Sequence, residues 1–142
     1  LAGGDLWPDP EIQPTIERLK LQDRVKILGH VPTQKLARLY QQATALVSPS
    51  FYEGFGLPVL EAMACGCPVV GTRAGSIPEV VGQAGLLVDP KDPVKLGQAM
   101  LKLATDSSLR SRLAIAGVAR ARHFSWPRFA KEVMRCAKIG MK

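Results

Sequence analysis

Two glutamates separated by seven residues make the segment 48–66 the most informative part of the sequence. Glu61 has only apolar neighbours from Pro58 to Cys65. Pro58 in a first turn and Gly66 as a stop predict a helix over 57–66, and its composition predicts burial on nearly all sides. A buried carboxylate is costly unless it is bonded. Glu61 is therefore expected to accept hydrogen bonds from ligand hydroxyls; the alternative is a position on the one exposed stripe of the helix.

The turn ahead of this helix has the residues of an anion site. Gly54 and Gly56 flank Phe55, and glycine lets a backbone approach a ligand closely. The first N–H groups of a helix have no partner within it, and the helix dipole favours negative charge beside them. A phosphate or diphosphate is the expected guest, although a Gly-x-Gly turn alone is a weak signal.

Glu53 adjoins the same turn, where it would repel a bound phosphate. Holding sugar hydroxyls just beyond the phosphate would explain its presence. Glu53 and Glu61 can then bracket one elongated ligand, with sugar, diphosphate and ribose in sequence.

The elements that must position these groups alternate between strands and helices. Short apolar runs at 24–29, 44–48, 67–71 and 85–89 predict buried strands. Amphipathic stretches predict helices between and after them, including the last helices at about 107–142. This alternation is typical of an α/β fold with a parallel sheet flanked by helices, in which ligands bind at the carboxyl ends of the strands. The length of 142 residues suits one domain.

Weaker candidates surround this segment. Ser76 followed by Glu79 is typical of a helix capping box. Arg73 follows a strand and is expected to be a solvated loop residue, with phosphate contact as the alternative. His30 follows a strand end, where a nucleobase contact and an ordinary turn are equally compatible. The 3 cysteines and 2 histidines show no zinc-binding spacing.

The charge is concentrated in the last part of the chain. Residues 1–109 carry a net charge of −1, whereas residues 110–142 carry +8. The expected explanation is a solvated basic helix face, with an anionic membrane surface or another part of a longer protein as alternatives; nothing typical of nucleic-acid recognition accompanies it. Helical spacing puts basic residues on one stripe and Phe129, Val133 and Cys136 on a face expected to pack on the core. The stripe consists of Lys131, Arg135, Lys138 and Lys142.

No apolar run is long enough for a membrane-spanning helix, and no signal peptide is evident. The opening Leu-Ala-Gly-Gly is typical of a strand that runs into a glycine turn. We therefore expect an upstream segment to precede it.

The pattern SPSFYEGFGLPVLEAMACG at 48–66 resembles the donor-binding half of nucleotide-sugar glycosyltransferases of family 4. Further stretches agree: CPVVGTRAGSIPEVVG at 67–82, VKILGHVP at 25–32 and GLLVDPKDPVKLGQAM at 85–100. The resemblance covers essentially the whole chain. It implies a Rossmann-like C-terminal half of a GT-B enzyme over residues 1–142, truncated at its N-terminus.

The resemblance also implies roles for individual residues. Glu53 would contact the donor sugar and is the catalytic candidate, and Glu61 would bind the ribose. Val31 would pack on the base. Backbone N–H groups of the turn, followed by a glycine turn near the nucleotide, complete the donor-binding set: Gly54, Phe55, Gly56, Leu57, Gly3 and Gly4. The Arg/Lys pair that neutralises the diphosphate in the family would precede this chain.

The implied activity is sugar transfer from a nucleoside diphosphate sugar to an unknown acceptor, with retention and with no metal or cofactor. The acceptor-binding domain would lie upstream, so this chain by itself is expected to be inactive. The implied location is cytoplasmic, with contact to the inner face of the membrane as an option. A nucleotide-sugar epimerase of the same architecture and a non-catalytic nucleotide-binding module are the alternatives.

Overall fold

The computed structural model describes residues 1–3 and 10–140. They separate into two compact units, Leu1–Leu36 and Ala37–Lys142. In chain order the secondary structure comprises α1 (Ile12–Arg18), α2 (Thr33–Gln42), β1 (Leu46–Ser48), α3 (Leu57–Ala64), β2 (Val69–Thr72), α4 (Ile77–Val81), β3 (Leu86–Val88), α5 (Pro93–Thr105), α6 (Ser107–Ala121) and α7 (Trp126–Gly140).

The strand predicted at 24–29 is absent from the first unit. Leu1 donates its amino group to Lys26 O at 2.6 Å and accepts from Leu28 N–H at 2.8 Å, as in one parallel bridge. The next bond joins Gly3 N–H to Gly29 O, one residue out of step with a regular ladder. Ile27 is also 55% exposed. The prediction of a buried strand here is therefore wrong, because the apolar run has neither a regular partner nor a covering face.

The second unit contains a three-stranded parallel sheet in the order β1-β2-β3. Val70 pairs with Val47 on one side and with Leu86 on the other. All four residues of the central strand β2 are buried. The continuous apolar runs of the sequence thus form a sheet covered on both faces, and the predicted α/β fold class is confirmed.

Helices cover the two faces through alternate residues of β2. Val70 packs in a cluster on α5 and α6 that includes Leu103, Leu109 and Leu113. Gly71 points the other way: a methyl group there would lie 3.1 Å from Ile77 of α4. Because α3 packs on α6 as well as on β1 and β2, the start of α3 is fixed at the carboxyl end of β1.

The last helix, α7, leaves its apolar side chains exposed. Trp126 is 79% exposed, Phe129 62% and Val133 49%. Packing of Phe129, Val133 and Cys136 on the core was expected from the sequence and is wrong, since Cys136 is exposed too. Helical spacing creates an apolar face without supplying a surface to cover it. Lys142, the last member of the basic stripe, lies outside the described residues.

Candidate functional site

The start of α3 presents a run of backbone donors. Gly56 is the N-cap residue with a φ of 84°, and its carbonyl accepts from the N–H groups of Val59 and Leu60. Pro58 has no N–H. In the parts of the chain that the structure describes, the N–H groups of Gly54, Phe55, Gly56 and Leu57 donate to no protein acceptor. Four adjacent free donors at a helix start can bind an anionic group.

Glu53 is fixed beside this turn by bonds to both its side chain and its main chain. Ser50 Oγ donates to Glu53 Oε1 at 2.8 Å. The Glu53 carbonyl accepts from the N–H and the hydroxyl of Ser76, each at 3.2 Å. Thr72 Oγ1, at the end of β2, donates to the Ser50 carbonyl. The carboxylate is half-buried, with its position set by the ends of two strands and the start of α4.

Gly75 allows this close approach between two loops. Its φ is +52°, and a Cβ on it would lie 2.3 Å from Glu53 O and 2.9 Å from Glu53 N. Ser76 therefore bonds across to Glu53, and its side chain makes no capping bond to α4. The predicted Ser76–Glu79 capping box is wrong, because the serine hydroxyl is used to hold the Glu53 loop.

Glu61 lies on an exposed stripe of α3 that also includes Leu57, Pro58 and Ala64. The opposite side, with Val59, Ala62 and Met63, is buried. The prediction that α3 is buried on nearly all sides is wrong, and the alternative reading of an exposed stripe is the observed one. Glu61 is thus accessible to a ligand. Because it is exposed, its carboxylate does not need a bonding partner to offset the cost of burial.

Tyr40 is a buried tyrosine close enough to Glu61 to feel its charge. The tyrosine is 8% exposed. Burial first, then the negative charge of Glu61 with smaller contributions from Cys65 and Cys67, together raise the pKa of Tyr40 to about 12. Glu61 therefore lies near a buried hydroxyl that stays protonated at neutral pH.

This pKa predicts a loss of stability in alkali. The pKa of Tyr40 in the folded protein, about 12, exceeds the ordinary value of 10.0, so its contribution is complete below pH 10 and is lost as the pH rises towards 12. At about 1.4 kcal/mol per pKa unit, the loss is up to about 3 kcal/mol. In urea unfolding at pH 9 and 11.5, Tyr40→Phe should show the smaller fall in stability.

Tyr52 provides the matched control, because it is 79% exposed. Tyr52→Phe should keep the alkaline loss of the parent protein. An equal loss in Tyr40→Phe and the parent would contradict the assignment.

The side chain of Phe55 in the glycine turn is linked through Phe124 to Arg120. The ring of Phe55 meets Phe124 edge-on, with centroids 6.0 Å apart and planes at 80°. The Arg120 guanidinium lies over the Phe124 ring at 5.0 Å. Arg120 also donates to Val80 O at 3.1 Å and to Glu79 O, at the end of α4. Sequence reasoning missed Arg120 and Phe124, since charge counts assigned the arginine only to a basic tail.

The other donor-binding candidates lie in the first unit. Gly3 is exposed and donates its N–H to Gly29 O at 3.0 Å, and Val31 is half-buried. Gly4 lies outside the described residues. These residues belong to a different unit from the glycine turn. The donor-binding roles of Gly3, Gly4 and Val31 therefore stay predictions. Arg73, in the second unit, is exposed.

A cleft lies at the carboxyl ends of the strands of the second unit. This cleft has a volume of about 460 Å³ and contains none of the predicted site residues. Its lining comes from the segments that follow the three strands and from α5: Pro49, Phe51, Thr72, Asp89, Pro90, Lys91, Asp92, Pro93 and Leu96.

Over residues 1–3 and 10–140, no three Asp, Glu, His or Cys side chains are grouped as metal ligands. Within the same ranges no helix is both long and apolar enough to cross a bilayer.

The fold defines the class of protein, an α/β domain shared with solved GT-B glycosyltransferases. Sucrose-phosphate synthase from Thermosynechococcus elongatus superposes with a TM-score of 0.84 at 31% identity, over 99% of this chain and 38% of that one. Anabaena HepE in complex with UDP-glucose gives a TM-score of 0.84 at 26% identity, over 97% of this chain and 40% of its own.

The chain belongs to the family Glycosyl transferases group 1, which matches residues 1–106. The O-antigen chain mannosyltransferase B of Escherichia coli is 41% identical over 139 residues. That alignment covers 98% of this chain but 36% of the relative. The chain thus spans about a third of the length of a curated relative that it matches along nearly its whole sequence.

Proposed function

We propose that this chain binds the nucleoside diphosphate sugar in a glycosyltransferase that moves the sugar to an acceptor with retention. The run of four free N–H groups between Glu53 and Glu61 carries the proposal. In the sequence this run stands between two carboxylates that can accept hydroxyl hydrogen bonds, which supports an anion site flanked by sugar- and ribose-binding groups. HepE, whose structure contains UDP-glucose, supports a nucleotide sugar as the ligand class.

In this proposal each part of the ligand has a matching group on the chain. The diphosphate would lie on the N–H groups of Gly54–Leu57, which stabilise the negative charge that develops on a leaving diphosphate. Glu53 would accept bonds from sugar hydroxyls through Oε2, because Ser50 already occupies Oε1. Glu61 would accept from the ribose hydroxyls. We extend this proposal to a site without metal or cofactor.

Titration calorimetry with UDP, GDP, ADP and UDP-glucose tests the proposal. At least one nucleoside diphosphate should bind the parent protein with a dissociation constant in the micromolar-to-millimolar range, about −8 to −4 kcal/mol. Absence of binding by all four compounds at millimolar concentration would contradict it.

Glu53→Gln should separate sugar recognition from nucleotide recognition. The variant removes a negative charge near the phosphate, so the nucleoside diphosphate should bind as well as it does to the parent, or better. The matching nucleotide sugar should lose its advantage over the free diphosphate, because a charged acceptor for its hydroxyls is gone. Calorimetry with both ligands measures the difference.

Glu79→Gln is the matched control, since it neutralises an exposed carboxylate on α4. It should leave both affinities unchanged. Equal losses for both ligands in Glu53→Gln would contradict this division of roles.

We further propose that α7 contacts an anionic membrane surface. Its exposed apolar side chains, Trp126, Phe129, Val133 and Met134, recur at helical spacing. The opposite face carries Arg128, Lys131 and Arg135, which complement an anionic headgroup layer. A basic amphipathic helix of this kind binds in the plane of a membrane interface.

Co-sedimentation with vesicles tests this contact. The parent should bind phosphatidylglycerol vesicles more strongly at low salt than at high salt, and phosphatidylcholine vesicles less. Lys131→Glu with Arg135→Glu should reduce that binding and leave nucleoside diphosphate affinity within about twofold, since the pair is remote in sequence from the turn. Absence of binding by the parent at low salt would favour the plain solvated face.

A further inference from the structure

One arginine of the basic tail is committed to the interior of the second unit. Arg120 is half-buried, and its Nε and Nη2 donate to the last carbonyls of α4. Donors and positive charge at a helix C-terminus satisfy carbonyls that the helix leaves open. These bonds leave the flat face of the guanidinium free to lie on the Phe124 ring at 5.0 Å.

Phe124 passes this constraint to the glycine turn. It follows the end of α6, where its N–H bonds to Ala121 O at 3.0 Å. Its ring meets Phe55 edge-on at 6.0 Å. Phe55 lies in the middle of the four free N–H groups, so the aromatic contact fixes the residue whose backbone would face the diphosphate.

Among the described residues, the hydrogen bonds that hold the turn lie at its two ends. Glu53 is bonded to Ser76 on one side, and Gly56 accepts the first bonds of α3 on the other. Across the described residues, Gly54 and Phe55 make no backbone hydrogen bond. Glycine adds conformational freedom at Gly54, so a side-chain contact is needed to hold the donors of this segment in one direction.

We propose that Arg120 and Phe124 are positioning residues, which hold Phe55 so that the N–H groups of the turn converge on the diphosphate. This inference rests on the proposed function. It predicts that changes more than 60 residues along the chain from the turn alter phosphate binding specifically. Neither residue would touch the ligand; both act through the Phe55 ring.

The test compares UDP with uridine in titration calorimetry of the parent protein. If another nucleoside diphosphate binds the parent better, it and its nucleoside replace this pair. Phe124→Ala and Arg120→Gln should weaken the diphosphate about threefold to tenfold, because each removes one aromatic or cation–π contact. The nucleoside, which lacks phosphate, should bind as it does to the parent. Phe124→Tyr keeps the ring and should restore diphosphate affinity.

Arg110 and Phe129 provide matched controls. Arg110 donates to Leu103 O at 2.7 Å and to Ala104 O at 3.0 Å, so it caps α5 as Arg120 caps α4. Phe129 meets Trp126 edge-on at 6.0 Å, as Phe124 meets Phe55. Arg110→Gln and Phe129→Ala should lower the melting temperature as their counterparts do, or less, and leave diphosphate affinity unchanged.

The outcomes distinguish the two proposals. A parent that binds none of the nucleoside diphosphates overturns the proposed function together with this inference. A parent that binds, with Phe124→Ala and Arg120→Gln binding equally well, overturns the positioning role alone. Equal losses for diphosphate and nucleoside also overturn it, since they indicate general damage to the fold. If either variant is unfolded, Phe124→Leu with NMR order parameters of the backbone amides at 54–57 replaces it; lower order parameters than in the parent are expected, and unchanged ones contradict the proposal.

Discussion

Gly75→Ala should lower the free energy of unfolding by about 3 kcal/mol and abolish tight nucleotide binding. A φ of +52° already disfavours any side chain there, and the new Cβ would lie 2.3 Å from the Glu53 carbonyl oxygen. Main-chain atoms cannot rotate away as a side-chain tip can, so the Glu53 loop must move. The estimate combines roughly 1–2 kcal/mol of left-handed strain with the loss of the two bonds from Ser76 to Glu53.

Gly66→Ala separates the cost of a positive φ from the cost of a steric clash between the new Cβ and a neighbouring main chain. Gly66 also has a positive φ, +75°, but the nearest atom to a Cβ there is 3.8 Å away. This variant should lose about 1 kcal/mol and keep its nucleotide affinity. Chemical denaturation followed by calorimetry measures both quantities. Similar losses of stability and of nucleotide affinity in the two variants would contradict the close contact between the Gly75 and Glu53 loops.

The element types were predictable wherever a local pattern decides them. Strands at 46–48, 69–72 and 86–88 follow from short apolar runs bounded by glycine, proline or polar residues. Helix α3 starts after Gly56 and ends before Gly66, as the punctuation of the sequence predicts. The parallel arrangement follows because a helix connects each strand to the next.

What failed depends on partners that are distant in sequence. The apolar run at 24–29 predicts a strand, but only a regular neighbour can make it one. Ser76 and Glu79 have capping-box spacing, yet the hydroxyl of Ser76 finds Glu53, 23 residues away. The exposure of Glu61 depends on α6, which covers one side of α3 and leaves the other open.

The residues of the candidate site that would contact a ligand were predictable from the sequence. The residues that hold the glycine turn in place were not. Residue types and spacing indicate the two carboxylates and the glycine turn between them, and the structure adds that the N–H groups of that turn are free. Neither Arg120 nor Phe124 belongs to a local pattern that connects it to the turn, since each is more than 60 residues away along the chain. The contacts that hold a loop depend on tertiary packing between distant residues, whereas the chemical groups that the loop offers to a ligand follow from its own residue types.

Glu61→Ala should weaken nucleoside diphosphate binding by about 10- to 100-fold. Bonds from hydroxyls to a carboxylate contribute about 1.5–3 kcal/mol, and Glu61 is exposed on the side of α3 that a ligand can reach. Removing it also changes the surroundings of the buried Tyr40 hydroxyl, so we expect a stability loss of up to about 1 kcal/mol. A complete absence of effect on the empty protein would therefore be unexpected.

Two further variants make this result specific. Glu61→Gln keeps an oxygen acceptor without the charge and should bind between the parent and Glu61→Ala. Glu79→Ala removes an exposed carboxylate from the adjacent helix α4. Arg120 bonds to the main-chain oxygen of Glu79 and not to its side chain, so this contact is kept. The variant should bind like the parent. Calorimetry at pH 7 compares the four proteins with UDP, or with whichever nucleoside diphosphate the parent binds best. If Glu61→Ala retains the parent's affinity, the ribose assignment is wrong. The free N–H groups of the turn would then bind the diphosphate without help from the second carboxylate.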